Sequence, residues 1–427
     1  MNSILTGFGL MRKVRRRGFS VVIMALGFLH AHSAAGDDTL RLITRSDHLD
    51  TLAREPMLVR HDSGALFVAG YPSQVTGTDW TAPPLLWRSD DDGASWNRVD
   101  VGSSADGAQG NSDVDLTIGA DGTLYFLSMG FNRSTRAGTH IAVGVSDDVG
   151  KTWQWHMLSA TRFDDRPWIS VAPNGTVHVI WNDGGGVRHS VSPDSGKSWA
   201  EQKSVHSAGG SSHLAIGPRG NIAVRISPIS ASANKYEAEV DLIAVSRDNG
   251  QSWTKHPPPA SLSWDPTLSD PQKVSRWVEP LAWGEEHRLW HLWSEGQVVK
   301  LGWSDDYGES WQAADVAHED GVAFFPYMVA GGAGRLAVTW FVNGGEKLSA
   351  RVALIETATA GESELTVSSS DLFTISAWLE NTETPMQTPA GEYIPVIFLP
   401  DGKLALVSPI QDAARDRWGF TWWVFGR

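Results

Sequence analysis

Cysteine is absent from the 427 residues. A disulfide framework, a thiol nucleophile and a Cys-ligated metal site are therefore all excluded. Basic charge is also short: 35 Lys and Arg stand against 49 Asp and Glu, for a net charge of −14. A nucleic-acid binder needs a basic face to meet phosphate, so that class is set aside. Charged residues make up only 20% of the chain, which leaves few charged helix formers. Long apolar runs are missing beyond the first thirty residues. What is plentiful is Gly (43), Pro (21) and Trp (21), in a chain that is 41% hydrophobic. That mixture describes a turn-rich, globular β protein with enough chain to bury a large core.

The first 35 residues read as a secretory leader. Arg12, Lys13, Arg15, Arg16 and Arg17 form a basic segment, and the apolar run FSVVIMALGFL (19–29) follows it. This run is short for a bilayer span. Ser33-Ala34-Ala35 then offers small residues for cleavage before Gly36. An uncleaved anchor is the alternative reading. The mature chain expected, 37–427, is five charges more negative than the whole. It is expected to be a secreted or periplasmic monomer with no membrane contact beyond the leader.

One motif recurs five times: SDDDGASW (89–96), SDDVGKTW (146–153), SPDSGKSW (192–199), SRDNGQSW (246–253) and SDDYGESW (304–311). The pattern is S-x-D-x-G-x-(S/T)-W. It describes a stapled hairpin, in which Gly takes the φ > 0 position and Asp and Ser bond to turn amides. The Trp folds back as an apolar plug, expected to be largely buried. A calcium loop would need carboxylates at several alternating positions, and here only the third is always Asp. No metal is assigned, and no cofactor.

A second repeat lies upstream of each box: a short strand, a turn usually carrying Gly, and an alternating strand. It occurs at 54–71, 113–128, 165–181, 212–227, 278–293, 325–341 and 392–408. Seven such units predict an all-β, seven-bladed propeller of four-stranded blades, with six blades as the alternative. The last unit lacks one strand. Thr39–Thr44 is expected to supply it beside Phe420–Phe425, because closure removes the exposed edges.

Five boxes of this kind on a blade repeat resemble the Asp-boxes of the sialidase (neuraminidase) superfamily of BNR-repeat propellers. The resemblance spans nearly the whole mature chain and speaks first to architecture. It implies an exo-acting glycoside hydrolase on an anionic sugar in glycans. Members of that family hold the sugar carboxylate with three Arg, attack with a Tyr assisted by a Glu, and use an Asp as acid/base. Guanidinium forks match a carboxylate, and a neutral phenol needs a base to become a nucleophile.

Carried over by position, Arg54 in Arg54-Glu55-Pro56 resembles the first Arg. Asp79 in Gly77-Thr78-Asp79-Trp80 resembles the acid/base, Tyr393 the nucleophile and Glu279 its base. The other substrate-binding candidates are Arg225, Arg166 and Arg276, all at strand ends. Two other readings stay open. One is a non-catalytic propeller that binds glycans or proteins. The other is a polysaccharide lyase with His213 and Tyr393 or Tyr327 beside a uronate.

Overall fold

The computed structural model describes residues 39–51, 53–71, 81–227, 241–259, 278–345, 347–357, 365–376, 391–412 and 417–427. The expected leader, Asp79 and Arg276 lie outside the described residues.

The strands form seven four-stranded antiparallel sheets, each built from consecutive strands except the last. The first blade is typical, with Arg54–Arg60 innermost, then Leu66–Tyr71, Leu85–Ser89 and Asn97–Arg98. Its second strand, LFVAGY, is buried at every position. A strand covered by a neighbouring blade on each face has no solvent side, so apolar/polar alternation disappears there. The alternative count of six blades is thus replaced by seven.

The seventh blade draws on both ends of the chain. Arg41–Leu49 pairs antiparallel with Arg417–Gly426, from Arg41 opposite Gly426 to Leu49 opposite Gly419. The closing strand is longer than the Thr39–Thr44 expected. Side chains fasten the seam as well. Thr421 donates to Asp47 (2.8 Å), Ser46 donates to the Gly93 carbonyl (3.0 Å), and the Trp87 indole donates to Asp50 (3.1 Å).

Each box joins the third strand of a blade to the fourth. In the first, the Ser89 hydroxyl donates to Asp91 (2.8 Å) and accepts the Gly93 N–H (2.9 Å). Asp91 also accepts the Ser95 N–H (2.8 Å), and the Trp96 indole donates to the Gly93 carbonyl (3.2 Å). The turn puts two successive residues in the left-handed region, Asp92 at φ 55° and Gly93 at φ 85°. A Cβ at position 93 would also collide with the Trp422 indole, so glycine is required twice over.

The box tryptophans differ from the expectation. Trp96 is buried, whereas Trp153, Trp199, Trp253 and Trp311 are half-buried. Trp96 sits at the seam, where Phe420 and Trp422 meet it edge-on at 5.2 and 5.7 Å between ring centroids. Trp96→Ala should therefore cost about 3–5 kcal/mol, and Trp153→Ala clearly less, measured by urea denaturation. Equal losses would contradict this account.

Hydroxyl and amide donors lower the box carboxyls Asp91, Asp194 and Asp248 to about 2, with the Ser95, Ser198 and Ser252 hydroxyls the leading cause. A folded value below the unfolded one, about 3.9, gives stability that is present above pH about 4 and lost as pH falls towards about 2. Replacing all three by Asn should lower Tm at pH 6. At pH 2 the variant and the wild type should converge.

Candidate active site

Seven inner strands begin around the propeller axis, and five are bulged near that end. The register shifts lie between Arg54 and Met57, Ser112 and Val114, Asp165 and Trp168, Ser211 and His213, and Phe324 and Tyr327. A bulge sets two residues against one and re-aims a side chain. Three of these bulges place a non-glycine residue directly before proline at positive φ: Glu55 (46°), Arg166 (49°) and Phe325 (48°). The left-handed region strains such residues, and proline further disfavours helical conformations in the residue before it. Strain of this kind concentrates at functional sites.

The bulges of blades one to three, with the start of blade seven, assemble one charged cluster. Arg54 and Glu55 come from the first blade, Asp113 from the second, Asp165 and Arg166 from the third, and Glu392 and Tyr393 from the seventh. Gly391, at φ 98°, lets the seventh-blade segment pass against Glu55, and a Cβ there would strike the Glu55 side chain. Glu392 accepts from the Arg166 guanidinium at 2.6 Å. Thr339 donates to the Ile394 carbonyl (2.6 Å) and holds the segment bearing Tyr393 to the sixth blade. The Trp168 ring stands edge-on to Tyr393, with centroids 5.4 Å apart, and lies 5.0 Å from the His213 ring.

Burial dominates the electrostatics. It pushes the Glu55 carboxyl well above the usual range, reinforced by Asp113 and Glu392. Asp113 is also raised, by burial first. Burial followed by Asp113 takes Asp165 up to about 7. Burial opposes the charge on Arg166, but Glu392 and Tyr393 outweigh it and hold the guanidinium well above its ordinary value. Burial likewise raises the Tyr393 phenol, against the pull of Arg166. Carboxyls shifted towards their neutral form and charged arginines thus share one largely desolvated site, a setting for acid/base chemistry.

Three donors in this cluster are buried with no partner among the described residues: the Nε atoms of Arg54 and Arg166 and the indole Nε1 of Trp168. A buried donor left unpaired costs about 1–3 kcal/mol.

Arg225 and Glu279 lie in a separate buried cluster. Glu279 accepts from Arg225 Nε (2.8 Å) and Nη2 (2.6 Å) and contacts His291 Nε2 at 3.1 Å. Arg225 also bonds Asp241 and the carbonyls of Ile226 and Leu242. The guanidinium is thereby engaged on all three nitrogens. Of the expected residues, the structure brings Arg54, Arg166 and Tyr393 together and sets Arg225 with Glu279. The carboxyls facing Tyr393 are Glu392, Glu55 and Asp113.

Sequence reasoning missed Glu55, Asp113, Asp165 and Glu392. One signal could have found two of the three charge-bearing bulges: a charged residue immediately before proline at a strand start, as in Arg54-Glu55-Pro56 and Asp165-Arg166-Pro167.

No protein-family model and no curated protein matches this sequence. Among solved structures, the chain is similar to a protein of unknown function from Dyadobacter fermentans, with a TM-score of 0.51 and 13% identity over 90% of this chain and 98% of that one. It is also similar to the α-L-arabinofuranosidase Arb93A of Fusarium graminearum (TM-score 0.48, 12% identity, 90% and 97% covered). A third is an ulvan lyase of polysaccharide lyase family PL25 (TM-score 0.48, 9% identity, 89% and 95% covered). At such identities the likeness concerns the fold.

The two clusters should respond differently to loss of their arginines. Arg225→Met leaves Glu279 and Asp241 buried without their counter-charge and should cost about 3–5 kcal/mol. Arg54→Met removes a donor that has no partner on its Nε and should cost well under half of that. Chemical denaturation of both variants checks the contrast, and an inverted order would overturn it.

Proposed function

We propose that the chain acts on a glycan as an exo-acting glycoside hydrolase of the sialidase type, with the axial cluster as its active site and a sugar carboxylate as the group it grips. One observation carries this reading: the unpaired, buried Nε donors of Arg54 and Arg166 in one cluster, where both face Glu392 and Arg166 also faces Tyr393. Guanidinium donors without acceptors in a desolvated site suit the oxygens of an anionic ligand. In this reading Arg54 and Arg166 hold the carboxylate, with Arg276, which the sequence sets just before an inner strand, as the candidate for the third arginine that the family uses. Tyr393 attacks the anomeric carbon, and Glu392, already held by Arg166, takes the phenol proton. The resemblance gives the proton donor as Asp79. Arg225 and Glu279 serve here to bind the fourth and fifth blades to each other. Export to the periplasm or the medium, directed by the leader 1–35, goes with a glycan substrate.

A lyase is the second reading. Its observation is His213, which burial and then His291 hold neutral, at about 3, with its ring 6.3 Å from that of Tyr327.

A panel of fluorogenic glycosides, neutral and carboxylate-bearing, tests the proposal on purified protein. Release from carboxylate-bearing glycosides is expected. Tyr393→Phe should abolish turnover and largely keep binding. Arg54→Ala should weaken binding of the anionic sugar at least tenfold, by about 1.5–3 kcal/mol for a charged hydrogen bond. Release confined to neutral sugars would remove the carboxylate grip from the proposal. An unsaturated uronate product, seen by its ultraviolet absorbance, would replace hydrolysis by elimination.

A further inference from the structure

We infer that Asp165 is the acid that protonates the leaving oxygen, an assignment that rests on the glycosidase reading above. The argument begins with strand alternation. Asp164 is fully buried and locked by Ser159 Oγ (3.0 Å), Thr161 N–H (3.0 Å) and Thr161 Oγ1 (2.6 Å). Successive side chains in a strand take opposite faces, so Asp165 turns away from that clamp. It faces Asp113 from the second blade, Glu392 from the seventh and Arg166 on its own strand. Unlike Asp164, Glu55 and Tyr393, it is only partly buried, so a substrate oxygen can reach it.

Its position is fixed by the neighbouring bulge. Asp165 pairs with Asn182 at the last regular step before the register shift. Ser211 Oγ lies 3.0 Å from Asn182 Oδ1 and 2.7 Å from the Arg166 carbonyl, pinning the strained residue next to Asp165. The carboxyl is therefore carried on the same rigid corner as a proposed substrate-gripping guanidinium. Burial and Asp113 push its titration up to about 7, so the protonated form persists until pH approaches neutrality.

The steps balance. As Tyr393 oxygen bonds to the anomeric carbon, its proton passes to Glu392. The bond to the leaving oxygen breaks, and that oxygen takes the Asp165 proton. Water then attacks the anomeric carbon and gives a proton to Asp165, while the departing phenoxide recovers its own from Glu392.

The test compares wild type, Asp165→Asn and Asp79→Asn on two carboxylate-bearing glycosides, one with a dinitrophenyl leaving group and one with an alkyl leaving group. The dinitrophenolate needs no proton to leave. Asp165→Asn is expected to lose about 10²–10⁴-fold in kcat on the alkyl glycoside. It should lose under about tenfold on the activated one, and the alkaline fall of the rate near pH 7 should disappear. Equal loss on both substrates, or a leaving-group dependence found in Asp79→Asn instead, overturns the assignment. Should Asp165→Asn fail to fold, Asp165→Glu replaces it: a displaced alkaline limb supports the assignment and an unmoved one refutes it. A wild type inactive on both glycosides overturns the glycosidase reading itself, an outcome distinct from either variant result.

Discussion

The pairing of Arg41–Leu49 with Arg417–Gly426 turns a row of seven sheets into a ring. Without it, the seventh blade would lose its outermost strand, and the first and seventh would be held face to face by side-chain packing alone, such as Trp96 against Phe420 and Trp422. The axial cluster depends on that seam directly. Arg54 and Glu55 begin the first blade, Glu392 and Tyr393 begin the seventh, and they meet only because the ring closes between them. The apolar seam made by Trp87, Trp96, Phe420 and Trp422 thus carries the charged site on its inner end. Burial of those aromatic rings, at roughly 25 cal/mol per Å² of apolar surface, helps offset the cost of holding unpaired donors and crowded carboxyls at the axis.

Crowding at the axis also explains the bulges. Inner strands that run regularly to the funnel would alternate side chains between neighbouring blades, leaving none aimed along the axis. An extra residue at the start of the strand redirects one. The proline that follows Glu55, Arg166 and Phe325 donates no N–H to the ladder, which suits a position where the ladder is already broken. In two of the three cases the redirected residue is charged, and Ser211, itself bonded to Asn182 Oδ1 through its backbone N–H, holds one of them in place through the Arg166 carbonyl. Phe325, at the equivalent place in the sixth blade, packs against Phe324 with ring centroids 5.1 Å apart.

The fold was legible because its signals are local and repeated. A box such as SDDDGASW writes its whole hydrogen-bond pattern into eight residues, and the alternating strand before it needs no distant partner to be recognised. The closing strand was legible from counting, since the seventh unit is one strand short and Thr39–Thr44 is left over at the other end of the chain. The site was legible only in part. Arg54, Arg166 and Tyr393 stand at strand starts, a position the repeat itself reveals. Whether Arg225 joins them or pairs with Glu279 depends on which blade presents its neighbour, and no spacing in the chain encodes that. Glu55 and Asp165 were missed for a related reason. Their role arises from bulges, and a one-residue change of register reverses which side chains reach the axis.

Charge balance gives the site its character. Two arginines share the cluster with Glu55, Asp113, Asp165 and Glu392, so full ionisation would leave a desolvated excess of negative charge. The protein avoids this by raising three of the carboxyls, with burial the largest cause in each. An anionic ligand entering such a site meets guanidinium donors and carboxyls that can stay neutral. Its own charge would raise those carboxyls further, so binding and proton uptake reinforce one another. The same coupling would act along a reaction: when a carboxyl gives up its proton to a leaving group, the charge it acquires faces Arg166. The cost of a buried carboxylate then falls at the step where it forms, and it is lifted again when the carboxyl is reprotonated.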